Sequence, residues 1–135
     1  MNLRKTLPRL VLITLASYGA IAGGALTLKH MQQGEICPLL GPVPACYVVF
    51  AAYLCILISA VRIAAPYASK LFFVGWIPAV GLAFVGVGLE LTQGHICPPG
   101  FFDIPQCFYS LAMALLCLAA FRLAATPEQT TRAAS

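Results

Sequence analysis

The sequence predicts an all-α membrane protein whose four transmembrane helices form two parallel tandem two-helix repeats. Three observations predict this fold class. Hydrophobic residues make up 61% of the 135 residues and charged residues only 9%. Four apolar stretches approach the roughly 20 residues that a helix needs to cross the hydrocarbon core. Finally, a cysteine-proline motif recurs after 60 residues.

The predicted spans are residues 10–28, 45–64, 71–90 and 106–121. Arg62 and Arg122 lie at the ends of the two shorter spans, where their long side chains can reach the headgroups and extend the usable length. The first span follows basic residues, as a secretory signal does, but its apolar run of 19 residues is longer than a usual signal core. We therefore expect it to be the first helix of the first repeat.

Charge predicts the orientation of these helices. Seven of the eight lysines and arginines precede the first span, lie between the second and third spans, or follow the fourth. By the positive-inside rule this side and both termini face the cytoplasm, so segments 29–44 and 91–105 lie outside, in the periplasm if the membrane is a bacterial inner membrane. The net charge of +4 thus reflects topology and gives no indication of nucleic-acid binding, which needs a clustered basic face.

The two halves align when the sequence is shifted against itself. The segment QGEICP at 33–38 matches QGHICP at 93–98, and a second cysteine follows in each copy, Cys46 and Cys107. With two helices per copy, both copies cross the bilayer in the same sense. The predicted units are a first repeat at 1–65, a second at 66–125 and a flexible cytoplasmic tail at 126–135.

Small residues at a spacing of four line the first and third spans. They are Gly19 and Gly23 in the first, and Gly75, Ala79 and Ala83 in the third. Such ladders let helix backbones approach closely in lipid. We therefore expect the first and third helices to make tight contact.

That contact would bring His30 and Glu90 towards each other at the outer surface, where the repeat alignment places them opposite one another. A histidine and a carboxylate beside the cysteine loops could deprotonate a thiol or pass on a proton. The alternative is that both groups are simply solvated at their helix ends.

Six cysteines fall into two sets of three. The outer ones are Cys37 and Cys46, with eight residues between them, and Cys97 and Cys107, with nine. In an oxidising compartment these four are expected to form disulfides, and the local pairing within each loop is the simplest of three possibilities. Each disulfide is either a structural staple or a redox-active bond, and the spacing leaves both interpretations open.

The third cysteine of each set lies deeper. Cys55 and Cys117 follow the second loop cysteines by nine and ten residues, or about 14–15 Å along a helix, near the middle of the membrane. A buried thiol usually packs as a small hydrophobe. The alternative is a pair of soft ligands for a thiophilic metal ion.

The segment from Leu26 to Cys46 combines an apolar helix end, a histidine, Cys37-Pro38 and Cys46 in an external loop. With the four-helix bundle, it resembles the membrane thiol-redox proteins of the disulfide-bond-formation (DsbB) and vitamin K epoxide reductase type. The resemblance implies electron transfer between loop cysteines, a membrane-edge cysteine pair and a quinone cofactor. Those proteins carry a Cys-x-x-Cys beside the quinone, and this sequence contains none.

Three functions remain open. The first is thiol-disulfide exchange with a periplasmic thiol protein, which would make the chain an oxidoreductase. The second is a non-catalytic accessory subunit that docks a larger membrane complex through its disulfide-clipped loops and the apolar tip Phe101-Phe102. The third is a carrier for a soft metal or small solute that uses Cys55 and Cys117. No phosphate-binding loop, metalloprotease helix or serine nucleophile motif is present.

Overall fold

The structure, a computed structural model, describes residues 3–34, 39–94 and 101–125. Its four helices are α1 (Leu3–Gln33), α2 (Ala45–Val61), α3 (Ala68–Gln93) and α4 (Gln106–Ala124). A short antiparallel hairpin of β1 (Leu39–Leu40) and β2 (Val43–Pro44) precedes α2, and a 3-10 turn at Phe101–Asp103 precedes α4. The predicted all-α class with four helices is confirmed.

Three of the helices, α1, α3 and α4, are long and apolar enough to cross a membrane. Helix α2 is apolar but has 17 residues, about 26 Å, slightly less than the hydrocarbon core of about 30 Å. Their outward faces are apolar too, since Ile21 of α1 and Val74 of α3 are 72% and 65% exposed. Apolar side chains on all faces suit a helix surrounded by lipid.

Each helix packs against two neighbours: α1 and α3 both contact α2 and α4. Side-chain contacts pair the start of α1 with the end of α2, and Phe72 near the start of α3 with Phe121 near the end of α4, so the helices of each pair are antiparallel. We call the end of the bundle that carries Arg9, Arg62 and Arg122 the arginine end, and the end that carries Cys46 and Cys107 the cysteine end. Helices α1 and α3 lie diagonally across the bundle, so the predicted tight contact between them is wrong.

The small residues of α1 and α3 accommodate large or close groups of α2 instead. A Cβ at Gly19 would lie 2.5 Å from Cδ1 of Tyr53, and one at Gly75 would lie 2.5 Å from the carbonyl oxygen of Ala52. Because real Cβ atoms do not approach so closely, glycine at these positions sets the distance between the helices. Helix α2 therefore packs closely against the small residues of both α1 and α3, which explains why the small-residue ladders occur on these two helices.

Large buried side chains gather towards the arginine end. Phe72 of α3 stacks on Phe121 of α4 with ring centroids 4.1 Å apart, and Leu12 and Ile56 belong to the same fully buried cluster. Towards the cysteine end, the buried residues that the structure describes are mostly small, such as Gly23, Thr27, Cys46, Ala79 and Ala83, with Val80 as a larger exception. The packing therefore anchors the arginine end more firmly than the end that carries the loop cysteines.

Candidate functional site

Helices α1 and α3 reach the cysteine end and stop in the same way. Gly34 and Gly94 adopt left-handed φ angles of +85° and +80°. Their amides donate to the carbonyl oxygens of His30 (3.0 Å) and Glu90 (3.2 Å), which closes the last turn of each helix. Glycine is favoured at these positions because it has no Cβ, and a Cβ would make the left-handed conformation at a helix end unfavourable. Both candidate proton-transfer residues are thus fixed in the final turn of a helix.

Helices α2 and α4 begin at the same end, each after a proline. Pro44 and Pro105 are the N-cap residues, and neither supplies a side-chain cap. Cys46 and Cys107 are therefore the second residues of α2 and α4. The first turn of a helix has unpaired N–H groups and the positive end of the helix dipole, which together stabilise a nearby thiolate.

Both of these cysteines are disulfide-bonded. Cys37 and Cys97 lie outside the described residues, so the local pairing within each loop stays a prediction. The two bonded cysteines differ in their surroundings, because Cys46 is buried with 7% of its surface exposed, whereas Cys107 is only partly buried. A reagent from the aqueous side would therefore reach Cys107 more easily.

His30 lies beside the first turn of α2. Its ring packs edge-on against Tyr47, with centroids 6.2 Å apart and an interplanar angle of 82°, and Tyr47 directly follows Cys46 in the chain. Glu90 is partly buried on α3, across the bundle from α1. The helix contact that motivated a pairing of His30 with Glu90 is therefore missing, and the pairing itself stays a prediction.

The two deeper cysteines are free thiols in different environments. Cys117 is completely buried in the hydrophobic cluster with Tyr53. Cys55 is partly exposed and lies at the α2–α3 contact, where a Cβ at Gly75 would come within 2.8 Å of its own Cβ. Over the ranges that the structure covers, no group of three or more histidine, cysteine or acidic residues could hold a metal ion. A soft-metal site at these thiols stays a prediction, and the surroundings of Cys117 favour a packing role.

One feature of this end was only half indicated by the sequence. Phe102 and Asp103 both have a left-handed φ of +59°, and the Phe102 side chain is 93% exposed. For a residue such as phenylalanine this conformation costs about 1–2 kcal/mol, whereas aspartate adopts it more readily. The apolar Phe101-Phe102 pair predicted an exposed tip, but nothing in the sequence indicated the unusual backbone.

The cysteine end thus combines two disulfide-bonded cysteines at helix starts with a histidine in the last turn of α1. These groups are suited to thiol-disulfide exchange, because a helix start stabilises the thiolate leaving group and an imidazole can accept a proton. The described residues at this end offer no comparable set of groups for phosphoryl or acyl transfer. Comparisons of the chain with protein-family models, curated proteins and solved structures find no match.

Proposed function

We propose that this protein is an integral membrane thiol-disulfide oxidoreductase whose external cysteine pairs exchange electrons with a thiol protein on the non-cytoplasmic side. One observation carries the proposal: Cys46 and Cys107 are both disulfide-bonded and both occupy the second position of a helix. A sulfur at a helix start is a better leaving group, since its thiolate is stabilised by the helix. A purely structural staple gains nothing from that placement.

The exchange runs through a mixed disulfide. A thiolate of the reduced partner attacks one sulfur of a loop disulfide, the bond between the loop sulfurs breaks, and the second loop sulfur leaves as a thiolate. The partner's second thiolate then attacks the mixed disulfide. The partner is left with a disulfide and the loop with two thiols, so two electrons and two protons have moved to the loop pair.

The accessibility of the two sites suggests their order. Cys107 is partly exposed and Cys46 is buried, so the pair that contains Cys107 receives electrons from the aqueous partner. With the predicted local pairing, that pair is Cys97 and Cys107. The pair Cys37 and Cys46, or a quinone as the resemblance implies, then accepts the two electrons. His30, which packs against Tyr47 next to Cys46, takes up a proton beside that second pair.

The proposal includes the membrane topology predicted from charge. Arg9, Arg62 and Arg122 lie at one end of the bundle and the bonded cysteines at the other. This separation supports cytoplasmic termini and periplasmic cysteine loops in a bacterial inner membrane. The matching glycine ends of α1 and α3 and proline starts of α2 and α4 support a tandem duplication.

Thiol trapping in isolated membranes tests the proposal. Membranes are equilibrated in buffers of graded dithiothreitol concentration, quenched in acid and labelled with a maleimide that adds mass. We expect Cys97 and Cys107 to become labelled at lower reductant concentrations than Cys37 and Cys46. Variants that lack one cysteine of a pair provide the matched control. Each leaves a single loop thiol, which should attack the disulfide of the oxidised partner and trap it as a mixed disulfide while one partner thiolate leaves.

If all four loop cysteines stay unlabelled until the protein is unfolded, the disulfides are structural and the oxidoreductase is excluded. That result would favour the alternative of an accessory subunit with disulfide-clipped loops. If labelling occurs but no mixed disulfide forms in any single-cysteine variant, exchange with a thiol protein is excluded. Cys55 and Cys117 serve as internal references, since neither takes part in a disulfide.

A further inference from the structure

We propose that the loop 101–104 is a membrane anchor in which the Phe102 ring inserts among the headgroups and upper acyl chains of the non-cytoplasmic leaflet. Phe102 is 93% exposed and Ile104 next to it is 43% exposed. Both belong to the connection that leads into α4 at Gln106. This inference concerns a lipid contact and does not depend on the proposed redox chemistry.

The backbone conformation of this loop indicates that the exposed Phe102 ring contacts something outside the chain. Phe102 and the following Asp103 both adopt a φ of +59°, and this conformation costs free energy in a bulky residue such as Phe102. Burial inside the chain does not compensate for it, because the ring projects away from the protein. Contact with surroundings outside the chain supplies a compensating interaction.

The position of the loop along the membrane normal points to lipid. Helix α4 has 19 residues, about 28 Å, so crossing a core of about 30 Å places Gln106 at the edge of the hydrocarbon. Phe102 precedes Gln106 by four residues, which span at most about 14 Å when fully extended. The headgroup layer is roughly 5–8 Å thick on each side. The depth at which aromatic side chains are enriched in membrane proteins is therefore within reach of Phe102.

The other loop at the cysteine end presents the same chemistry. Leu39 and Val43 of the β1–β2 hairpin are 51% and 43% exposed, on either side of the turn at Gly41, whose φ is +65°. Two apolar loops at the same end suit a continuous lipid surface, which can contact both of them. The carboxylate of Asp103 can remain in the hydrated headgroup zone beside the inserted ring.

Tryptophan fluorescence in vesicles tests this placement. Trp76 is the only tryptophan in the chain, so the Trp76→Phe variant has no tryptophan fluorescence. Phe102→Trp is introduced into that variant. The protein is reconstituted in phosphatidylcholine vesicles whose acyl chains carry bromine either near the headgroup or near the terminal methyl group. Phe84→Trp in the same background is the control, since residue 84 is exposed on the outward face of α3.

We expect the indole of the Phe102→Trp variant to be quenched more strongly by bromine near the headgroup than by bromine near the chain end, and that of the Phe84→Trp variant to show the reverse preference. Emission of the Phe102→Trp variant in vesicles should also lie at shorter wavelength than the emission of tryptophan in water. No quenching by either lipid, with emission typical of water, overturns the proposal and leaves the ring free for a protein partner. If Phe102→Trp does not reconstitute, Ile104→Trp reports on the same loop, and its lack of quenching overturns the proposal equally.

Discussion

The indole nitrogen of Trp76 donates a 2.8 Å hydrogen bond to the main-chain carbonyl oxygen of Ala114, which joins α3 to α4. Trp76 also packs edge-on against Phe73, with centroids 6.2 Å apart. In apolar surroundings an indole N–H without an acceptor is costly, so this bond specifies how the two helices align.

Trp76→Phe should therefore weaken the α3–α4 contact while it keeps an aromatic ring in place. We expect a loss of about 0.5–1.5 kcal/mol in the free energy of unfolding, the usual range for hydrogen bonds between membrane helices. Unfolding in mixed micelles by titration with SDS, followed by circular dichroism, measures it. Ile77→Ala on the outward face is the control, and equal losses in the two variants would show that the hydrogen bond has no special role.

Gly75 and Gly81, on the same helix, provide a matched pair for testing helix approach. A Cβ at Gly75 would lie 2.5 Å from the Ala52 carbonyl oxygen, whereas one at Gly81 would meet nothing within 4 Å. We expect Gly75→Ala to cost about 1–3 kcal/mol by forcing α2 and α3 apart. Gly81→Ala should be neutral or stabilise by up to about 1 kcal/mol, because alanine is the better helix former. Similar effects at both positions in SDS titration would contradict the packing described for Gly75.

The glycine positions also show how far the sequence could predict the fold. Composition and spacing predicted four helices and identified Gly19 and Gly75 as sites of close approach. They could not identify the partner helix, because a small residue indicates where another helix can approach closely but not which helix does so. The groups that approach Gly19 and Gly75 are the Tyr53 ring and the Ala52 carbonyl of α2. Short connections between successive helices make α2 the neighbour of both α1 and α3.

Arg9 caps the end of α2 from the neighbouring helix. Its Nη2 donates to the Val61 carbonyl oxygen at 2.7 Å and its Nε to that of Ala60 at 3.3 Å. Arg9→Lys keeps the positive charge, and with it the topology signal, but lacks the planar fork that reaches two carbonyls. We expect a loss of about 1 kcal/mol, since the site is partly solvated.

Hydrogen exchange locates the effect of Arg9→Lys. Amides of residues 58–65 should exchange faster than in the unchanged protein, while those near the cysteine end should not change. Arg122→Lys, an exposed arginine at the same end of the bundle, is the matched control and should leave the exchange of α2 unaltered. Faster exchange throughout the chain would mean that Arg9 stabilises the whole bundle and does not act as a local cap.

Much of the candidate site follows from local sequence, and the remainder depends on tertiary contacts. The predicted spans 45–64 and 106–121, with the orientation predicted from charge, indicated external cysteines at helix starts, Cys46 and Cys107. The difference in burial between these two cysteines has no local signal, because it depends on how other helices cover each start. The same holds for His30, whose ring contact with Tyr47 depends on α1 meeting α2.

Cys117 and Cys55 distinguish a packing role from a metal-binding role. Cys117 is completely buried, so Cys117→Ser places a hydroxyl in an apolar site and should cost about 1–3 kcal/mol. Cys117→Ala leaves only a small cavity and should cost less. Cys55→Ser should have a smaller effect than Cys117→Ser. Cys55 is partly exposed, so the serine hydroxyl at this position is not fully enclosed in apolar surroundings. SDS titration of the three variants gives the ranking.

A metal-binding role makes the opposite prediction, because both thiols would then be needed equally whatever their burial. Binding of Cu(I) or Cd²⁺ to the purified protein would fall to background in every one of these variants, and the doubly substituted protein would be no worse than either single one. We expect the stability losses to follow burial and any binding of soft metals to persist at the loop cysteines alone after their reduction. Loss of binding in Cys55→Ser, with stability unchanged, would instead assign the deeper thiols to the metal.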